Sequence, residues 1–188
     1  MIMSLSKNGL KRLEMLKGKR VHLRTPEMED VSDLMRWEND PENWKVSETQ
    51  NPYTEEEIEN FVDRKDTLEE DGQQRFIICR NEDVKKLGTL DVFDAEPAKG
   101  KLSVGVLIAD PDERGKGYAK ESLMLMVSYL QKQKVFEHLI AHVQEDNSAS
   151  KNLFESCDFK WIGTKEASRQ SKVEQINERI YQLCLNPS

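Results

Sequence analysis

The sequence predicts an α+β domain with a mixed, mostly antiparallel central sheet of about six to seven strands and about four flanking helices. Three observations predict this class. Between residues 74 and 109, apolar strand-like segments alternate with turn residues, which is typical of an antiparallel meander. Two segments with apolar residues at helical spacing precede this meander and two follow it. The chain of 188 residues has the length of one ordinary domain with a full core.

The chain before the meander contains a basic segment, one strand and two helices. Residues 1–18 carry leucines among lysines and arginines. We expect a weakly ordered segment or a short helix there, followed by a single domain over 19–188. Lys19–Thr25 alternates apolar and polar residues as a half-buried strand does. Apolar residues at helical spacing predict the first helix over Met28–Asn39, and a capping box that begins at Thr54 predicts the second.

The rest of the chain alternates strands with two further helices. The third helix follows a glycine-bearing loop at Gly115 and runs to about Gln133, and the fourth covers Asn147–Ser156. The strands predicted after residue 74 are Arg75–Arg80, Leu87–Phe93, Leu102–Ala109, His138–Val143, Lys160–Glu166 and Gln175–Leu185. The last two form a pair whose free edge would suit a homodimer.

Charge and cysteine usage narrow the classes of function. The net charge of −7 argues against general binding to nucleic acids or anionic membranes, which needs a basic face, and is compatible with a cationic substrate. No apolar run approaches the length that crosses a bilayer. The three cysteines lack ligand-like spacing, and we interpret them as reduced thiols in a cytoplasmic protein. His138 and His142 would lie about 13 Å apart on one strand, too far for one ion, so we predict no metal.

The most informative stretch is the loop Asp112–Ala119, between a strand and a helix. Gly115 and Gly117 let the backbone approach a ligand closely, and amides at a helix start lack intrahelical acceptors. Together with the helix dipole they predict an anion site suited to a pyrophosphate. Basic residues surround it, namely Arg114, Lys116 and Lys120. On this loop alone, a plain turn with solvated basic side chains remains the alternative.

Two known glycine motifs do not fit this loop, and a third does. A dinucleotide fingerprint needs a third glycine at Lys120. A nucleoside-triphosphate loop needs four residues between its glycines and then Lys-Ser or Lys-Thr. The sequence instead has Arg-x-x-Gly-x-Ala over Arg114–Ala119, followed by an Asn-x-x-Ser-x-x-Leu-Phe pattern that ends in Asp-Phe over Asn147–Phe159. In this order the motifs resemble the GCN5-related N-acetyltransferase (GNAT) family. The resemblance is nearest to the bacterial spermidine/diamine and ribosomal-protein alanine acetyltransferase branches.

The resemblance covers nearly everything from Lys19 to Cys184 and implies the GNAT fold, with its sheet splayed at the cofactor site. It implies acetyl-CoA as cosubstrate, with the pyrophosphate on the glycine-bearing loop and the pantetheine arm between two splayed strands. Asn147 would reach the pantetheine amide, and it would also suit a helix N-cap. The residues implied to bind acetyl-CoA are Leu107, Ile108, Ala109, Arg114, Gly115, Lys116, Gly117, Tyr118, Ala119, Asn147, Ser150 and Phe154.

Two positions depart from the family pattern. Phe154 stands where many relatives hold a tyrosine that protonates the departing thiolate, a kind of general acid typically worth ~10²–10⁴ in rate. Phenylalanine has no proton to give, so another group, water or the protonated tetrahedral intermediate would supply it. Asp158 replaces the usual glycine before Phe159, and aspartate tolerates a left-handed backbone better than most residues.

The acceptor side of the site is the least specified. Asp91 is the carboxylate inside its strand and is a candidate base acting through water, while Leu90 and Val92 would face the other way. Glu38 lies in an acidic, tryptophan-bearing stretch, Trp37–Trp44, which with Glu48 would hold an alkylammonium. The alternative is a solvated acidic turn whose tryptophans fill the core. A small polyamine or diamine is the first expectation for the acceptor. Its alternatives are a protein N-terminal amine and a weakly catalytic acyl-CoA-binding module.

Overall fold

Eight strands form one sheet in the computed structural model of the protein, which describes residues 15–44, 51–166 and 177–186. The strands lie in the spatial order β1-β2-β3-β4-β5-β6-β8-β7, and all neighbours are antiparallel except β5 and β6. Their bounds are β1 Met15–Lys17, β2 Val21–Arg24, β3 Gln74–Arg80, β4 Lys86–Glu96, β5 Lys101–Ile108, β6 His138–Gln144, β7 Lys160–Lys165 and β8 Glu178–Cys184. The predicted α+β class with a mixed, mostly antiparallel sheet is confirmed.

Five α-helices flank this sheet within the described ranges. They are α1 Val31–Glu38, α2 Pro41–Trp44, α3 Glu55–Arg64, α4 Tyr118–Gln133 and α5 Ser148–Ser156. The predicted capping box is present, because Thr54 Oγ1 accepts from the Glu57 amide at 3.3 Å and Glu57 Oε2 accepts from the Thr54 amide at 2.7 Å. The one-turn helix α2 lies where we expected only a break, so the helix count exceeds the prediction by one.

The additional strand comes from the end of the basic N-terminal segment. Met15–Lys17 pairs with β2 in antiparallel register, Leu16 opposite Leu23. These three residues are therefore a strand, where we expected weak order or a short helix. Residues 1–14 lie outside the described part of the chain, so the prediction for the rest of that segment and for the domain boundary stays a prediction.

Side chains along β3 point alternately to the two faces of the sheet, and each face carries its own core cluster. Phe76 and Ile78 are fully buried in the larger cluster, which includes the inner side of α4. Ile77 and Cys79 are fully buried in the smaller cluster, which includes the apolar residues of α1 and α3. Arg75 shares the face of Ile77, because side chains two apart on a strand point the same way. That face carries the candidate acceptor residues described below.

The sheet opens between its two parallel strands. β5 pairs with β6 only at the three positions from Lys101, opposite His138, to Ser103, opposite Ile140. On its other side β5 continues to pair with β4 as far as Ile108. The edge of β5 that faces β6 thus lacks a ladder partner from Val104 onward, and the expected splay is present.

Candidate active site

The unpaired part of β5 provides one wall of the gap. Leu107 and Ile108 lie on this strand, but the Leu107 carbonyl faces Gly88 on β4 and the Ile108 carbonyl accepts from Arg114 Nε at 2.9 Å. Their expected pairing with the pantetheine arm stays a prediction. Ala109 is engaged on both sides, because its amide donates to Leu87 O at 2.9 Å and its carbonyl accepts from Arg114 Nη2 at 3.2 Å. Both of its polar main-chain groups are therefore occupied within the protein. A role of Ala109 toward acetyl-CoA remains open only as an apolar contact.

A glycine on β4 sets the position of this wall. A Cβ at Gly88 would lie 2.0 Å from Leu107 O and 3.1 Å from the Ala109 amide. No side chain fits there, so Gly88 allows β4 to approach the end of β5 at backbone distance. The sequence analysis missed Gly88. Its one signal was a glycine inside a strand pattern.

The glycine-bearing loop has the backbone conformation that its sequence suggested. Gly115 and Gly117 have φ of 73° and 84°, in the left-handed region that favours glycine. The Glu121 amide makes the first helical bond, to Gly117 O at 3.1 Å, so the amides of the first turn, Tyr118–Lys120, have no intrahelical acceptor. A Cβ at Gly115 would meet no atom within 4 Å, so this side of the loop is open. These features fit a pyrophosphate bound to main-chain amides.

The basic side chains of the loop are turned to the protein rather than held free for an anion. Arg114 Nε donates to Ile108 O at 2.9 Å, and its amide donates to Pro111 O at 3.2 Å. Lys116 Nζ lies 2.9 Å from Glu113 Oε2, and Lys120 Nζ donates to Ser156 O at 2.9 Å. The anion site therefore depends on the loop amides more than on these side chains.

Glu113 ties the loop to the end of β3. Its side chain is 7% exposed and contacts Arg80 at 3.1 Å, Lys85 at 2.8 Å and Lys116 at 2.9 Å. Hydrogen bonds from Lys85 and Lys116 lower the pKa of Glu113 to about 2. The sequence analysis missed this cluster, because its members come from a strand end, a turn and the loop.

Asn147 is the N-cap of α5 through its side-chain oxygen, and the cap does not use its Nδ2 donor. Its Oδ1 accepts from the Ser150 amide at 3.0 Å, so the predicted capping role is confirmed. Among the described residues its Nδ2 has no hydrogen-bond acceptor. The expected contact with the pantetheine amide stays a prediction, and it is compatible with the cap.

Phe154 itself offers no proton, and its neighbours Ser156 and Cys157 are engaged or buried. Phe154 is 4% exposed, and its ring packs edge-on against Phe159 at a centroid distance of 5.1 Å. Ser156 Oγ donates to Leu153 O at 2.8 Å, and burial raises the pKa of the Cys157 thiol. Asp158 has a φ of 65°, which matches its expected left-handed tolerance.

The two candidate catalytic carboxylates meet on one guanidinium. Asp91 lies opposite Arg75 on β3 and opposite Gly105 on β5. Arg75 Nε donates to Asp91 Oδ1 at 2.6 Å and its Nη2 donates to Oδ2 at 3.0 Å. Arg75 Nη1 donates to Glu38 Oε1 at 2.5 Å. The sequence analysis gave Arg75 no role in the site and did not predict that the two carboxylates meet on it, since the three residues come from three separate elements.

This cluster is partly shielded from solvent. The side chains of Arg75, Asp91 and Glu38 are 21%, 26% and 18% exposed. Burial disfavours the charge of Arg75, but the fields and hydrogen bonds of Asp91 and Glu38 outweigh it and raise its pKa. The Arg75 guanidinium also lies 5.2 Å from the centroid of the Phe61 ring. As expected, Leu90 and Val92 point into the opposite cluster.

Of the aromatic acceptor pocket expected at Trp37–Trp44, the structure describes the side chain of Trp37 and not that of Trp44. Trp37 is 5% exposed and packs in the smaller core cluster, so it fills the core as the alternative proposed. Asn43 is 7% exposed and its Nδ2 donates to Trp37 O at 2.9 Å. The side chain of Trp44 and the whole of Glu48 lie outside the described part of the chain.

Two further findings concern metals and membranes. Across the described ranges, no three His, Cys, Asp or Glu side chains are grouped so that they could hold a metal ion. In the same ranges, no helix has the length and apolar character needed to cross a membrane.

A gap between splayed strands, beside a helix start with open amides, is a place for a long ligand that carries phosphate at one end. Such a site fits coenzyme A, the cosubstrate of acyltransferases. Residues 20–160 match the family model of the acetyltransferase (GNAT) domain, and the chain belongs to this family. The protein is therefore an N-acetyltransferase with acetyl-CoA as its cosubstrate.

Known proteins similar to this chain act on different amines. Over 160 residues it is 28% identical to an N-acetyltransferase 9-like protein of Caenorhabditis briggsae, covering 80% of this chain and 79% of that protein. A Salmonella typhimurium acetyl transferase that modifies the N-terminal serine of a 50S ribosomal subunit protein has a TM-score of 0.78 and 16% identity, covering 92% of this chain and 100% of that chain. A Vibrio cholerae spermidine N-acetyltransferase, solved with CoA and spermine, has a TM-score of 0.77 and 16% identity, covering 89% and 97%. At these identities the two structures show the fold.

Proposed function

We propose that this protein transfers the acetyl group of acetyl-CoA directly to the α-amine of a peptide or protein N-terminus. The observation that carries the choice of acceptor is the position of Arg75 between Glu38 and Asp91. A small polyamine was the first expectation from the sequence, and the protein N-terminus was its alternative.

The charge of the cluster favours an acceptor with a single ammonium group. Glu38, Asp91 and Arg75 together carry one net negative charge, in a partly shielded position opposite the part of β5 that β6 does not pair with. A polyamine carries several ammonium groups and is best held by several uncompensated carboxylates. An N-terminal amine carries one charge and matches this cluster. Both kinds of acceptor occur among the fold relatives, so the charge balance is the observation that supports the N-terminal amine in this proposal.

The register of the sheet supports Asp91 as the residue next to the reacting atoms. Asp91 lies across from Gly105, which has no side chain and belongs to the unpaired part of β5. In the proposed reaction the ammonium passes a proton through water to the Asp91 carboxylate, and the nitrogen then forms a bond to the acetyl carbon. The carbon–sulfur bond breaks as the nitrogen loses its second proton to solvent, and the thiolate takes a proton from solvent because Phe154 has none to give. A thiolate is a tolerable leaving group, so loss of a general acid slows the reaction without preventing it.

The test is release of the CoA thiol from acetyl-CoA in the presence of four kinds of amine. The panel contains a peptide with a free N-terminus, the same peptide with a blocked N-terminus and a free lysine, spermidine, and putrescine. We expect saturable release with the free N-terminus and little with the other three. Asp91→Asn should reduce this release at least ~10²-fold, the lower end of general-base contributions. Glu56→Gln, on the exposed face of α3, is the matched control.

Each of the other outcomes of this assay would indicate a different function. Saturable release with spermidine alone would overturn the proposed acceptor and restore the polyamine. No release with any amine, while CoA still raises the melting temperature, would make the chain an acyl-CoA-binding module.

For its location we infer the cytoplasm, since Cys79, Cys157 and Cys184 are all free thiols. A homodimer through β7, which lies at the edge of the described sheet, stays a prediction.

A further inference from the structure

Arg20, just before β2, binds the inner side of the glycine-bearing loop. Its Nη1 donates to Lys116 O at 2.9 Å and its Nη2 donates to Gly117 O at 3.3 Å. We propose that Arg20 is a positioning residue that orients the loop amides toward the pyrophosphate of acetyl-CoA. This inference depends on the cosubstrate and is independent of the proposed acceptor.

The direction of the amides follows from the planarity of the peptide bond. In a trans peptide the carbonyl of one residue and the amide of the next point in opposite directions. With the Lys116 carbonyl turned to Arg20, the Gly117 amide points away from it. With the Gly117 carbonyl turned the same way, the Tyr118 amide also points away. One guanidinium therefore holds two consecutive amides toward the outer side of the loop at the start of α4, the second of them together with the helical bond from the Glu121 amide to Gly117 O.

Arg20 is itself held from two sides. Its amide donates to Glu121 Oε1 at 2.7 Å and its Nε donates to Glu121 Oε2 at 2.8 Å, and the guanidinium carbon lies 5.2 Å from the centroid of the Tyr118 ring. Burial works against the charge of Glu121, but the hydrogen bonds from Arg20 outweigh it and lower the pKa of Glu121. Glu121 thus fixes the plane of the guanidinium relative to the loop.

The geometry requires arginine rather than a positive charge alone. Arginine presents five donors in a rigid plane, whereas lysine carries a compact charge on a flexible stem. A lysine at this position would not hold Glu121 and both carbonyls in the same arrangement. The Arg20 side chain is 48% exposed, so its replacement should leave the core intact.

The experiment measures binding by calorimetry with three probes, CoA, dephospho-CoA and pantetheine. Dephospho-CoA keeps the pyrophosphate and lacks the 3′-phosphate, and pantetheine lacks both. In Arg20→Gln we expect the Kd of CoA and of dephospho-CoA to rise by about tenfold each, the effect of losing a hydrogen-bonded charge. The Kd of pantetheine should change less than twofold. Arg20→Lys should behave like Arg20→Gln, because the planar fork is absent in both.

Arg36→Gln is the matched control, since Arg36 is 70% exposed and, among the described residues, pairs with Asp33 alone, on its own helix. It should leave all three dissociation constants unchanged. Equal weakening of all three probes in the Arg20 variants would show a general loss of structure and overturn the proposal. Wild-type binding of CoA by Arg20→Gln would also overturn it. If Arg20→Lys bound CoA like the wild type while Arg20→Gln did not, the charge of Arg20 would suffice and the geometric argument would be overturned.

Discussion

Asp91 and Arg75 lie directly opposite each other on neighbouring strands and form a two-point ion pair, with N–O distances of 2.6 and 3.0 Å. The same guanidinium also binds Glu38, so one cation faces both candidate carboxylates. Bidentate pairs of this kind fix the orientation of the carboxylate as well as its charge. Asp91 is therefore held in place next to the gap before any acceptor arrives.

Arg75→Gln should change acceptor preference as well as rate. The substitution removes the cation that Glu38 and Asp91 share and makes the cluster more negative by one charge, which suits an acceptor with more than one ammonium group. We expect kcat/KM for the peptide N-terminus to fall by ~10–100-fold, the usual range for a lost charge-assisted contact. The ratio of spermidine to peptide kcat/KM should rise.

Steady-state kinetics with both amines would measure that ratio, and Arg36→Gln is the exposed arginine control. A merely structural role for Arg75 would lower both kcat/KM values by the same factor and leave the ratio unchanged. That result would contradict the charge argument for the acceptor.

Gly88→Ala should damage the wall of the gap. The added Cβ would lie 2.0 Å from Leu107 O, a backbone atom that cannot rotate away, so β4 and β5 must separate. We expect a loss of at least about 2 kcal/mol in the free energy of unfolding, measured by urea denaturation. A Cβ at Gly163 on β7 would meet nothing within 4 Å, so Gly163→Ala is the control and should be nearly neutral. Similar stability of the two variants would show that the close approach at Gly88 is readily relieved.

The buried ion pairs of Asp30 predict that the protein loses stability in acid. Its side chain is 0% exposed and contacts Arg24 at 2.6 Å and Lys86 at 2.7 Å. Burial disfavours its charge, but hydrogen bonds from Arg24 and Lys86 outweigh it and lower the pKa of Asp30 to about 2. A carboxyl with a lowered folded-state pKa stabilises the fold above its unfolded value, near 3.9. This contribution is lost as the pH falls from about 4 to about 2.

Asp30→Asn should therefore cost about 3 kcal/mol in the free energy of unfolding at pH 7, as expected when one partner of a buried ion pair is removed. The difference from wild type should shrink between about pH 4 and pH 2. Chemical denaturation at a series of pH values would measure it, with the exposed Asp63→Asn as control. A difference that stays constant down to pH 2 would mean that the charge of Asp30 does not carry the effect.

Local patterns in the sequence predicted most of the fold, because helix caps and strand alternation depend on neighbours in the chain. The capping box at Thr54 and the outward placement of Asp91 relative to Leu90 are examples. The short strand Met15–Lys17 escaped prediction because three residues carry too little periodicity. Its pairing with β2 decides its conformation.

The site was predictable where main chain carries the chemistry and unpredictable where side chains from distant elements meet. The loop at Gly115 and Gly117 and the cap at Asn147 follow from local sequence and are present. The inward turn of Arg114 onto Ile108 O depends on the fold of the following loop. Arg75 contacts residues on α1 and β4, and no local pattern marks such a meeting.

Asn147 offers a way to separate folding from cosubstrate binding at a single position. Its Oδ1 caps α5 through the Ser150 amide, and its Nδ2 is the donor proposed for the pantetheine amide. Asn147→Asp keeps an oxygen for the cap and removes the donor, whereas Asn147→Ala removes both. Loss of an N-cap costs about 1 kcal/mol, so only the alanine variant should show a lower free energy of unfolding.

Binding should instead be weakened in both variants, because both lack the donor. We expect the Kd of pantetheine and that of CoA to rise by about five- to tenfold in each, since the probes share the amide that Asn147 would contact. Calorimetry with the two probes and denaturation of the same samples measure the two roles side by side. Wild-type affinity in Asn147→Asp would leave Asn147 as a cap alone. The wall of the gap formed by β5 would then have to hold the pantetheine arm through its own main-chain groups.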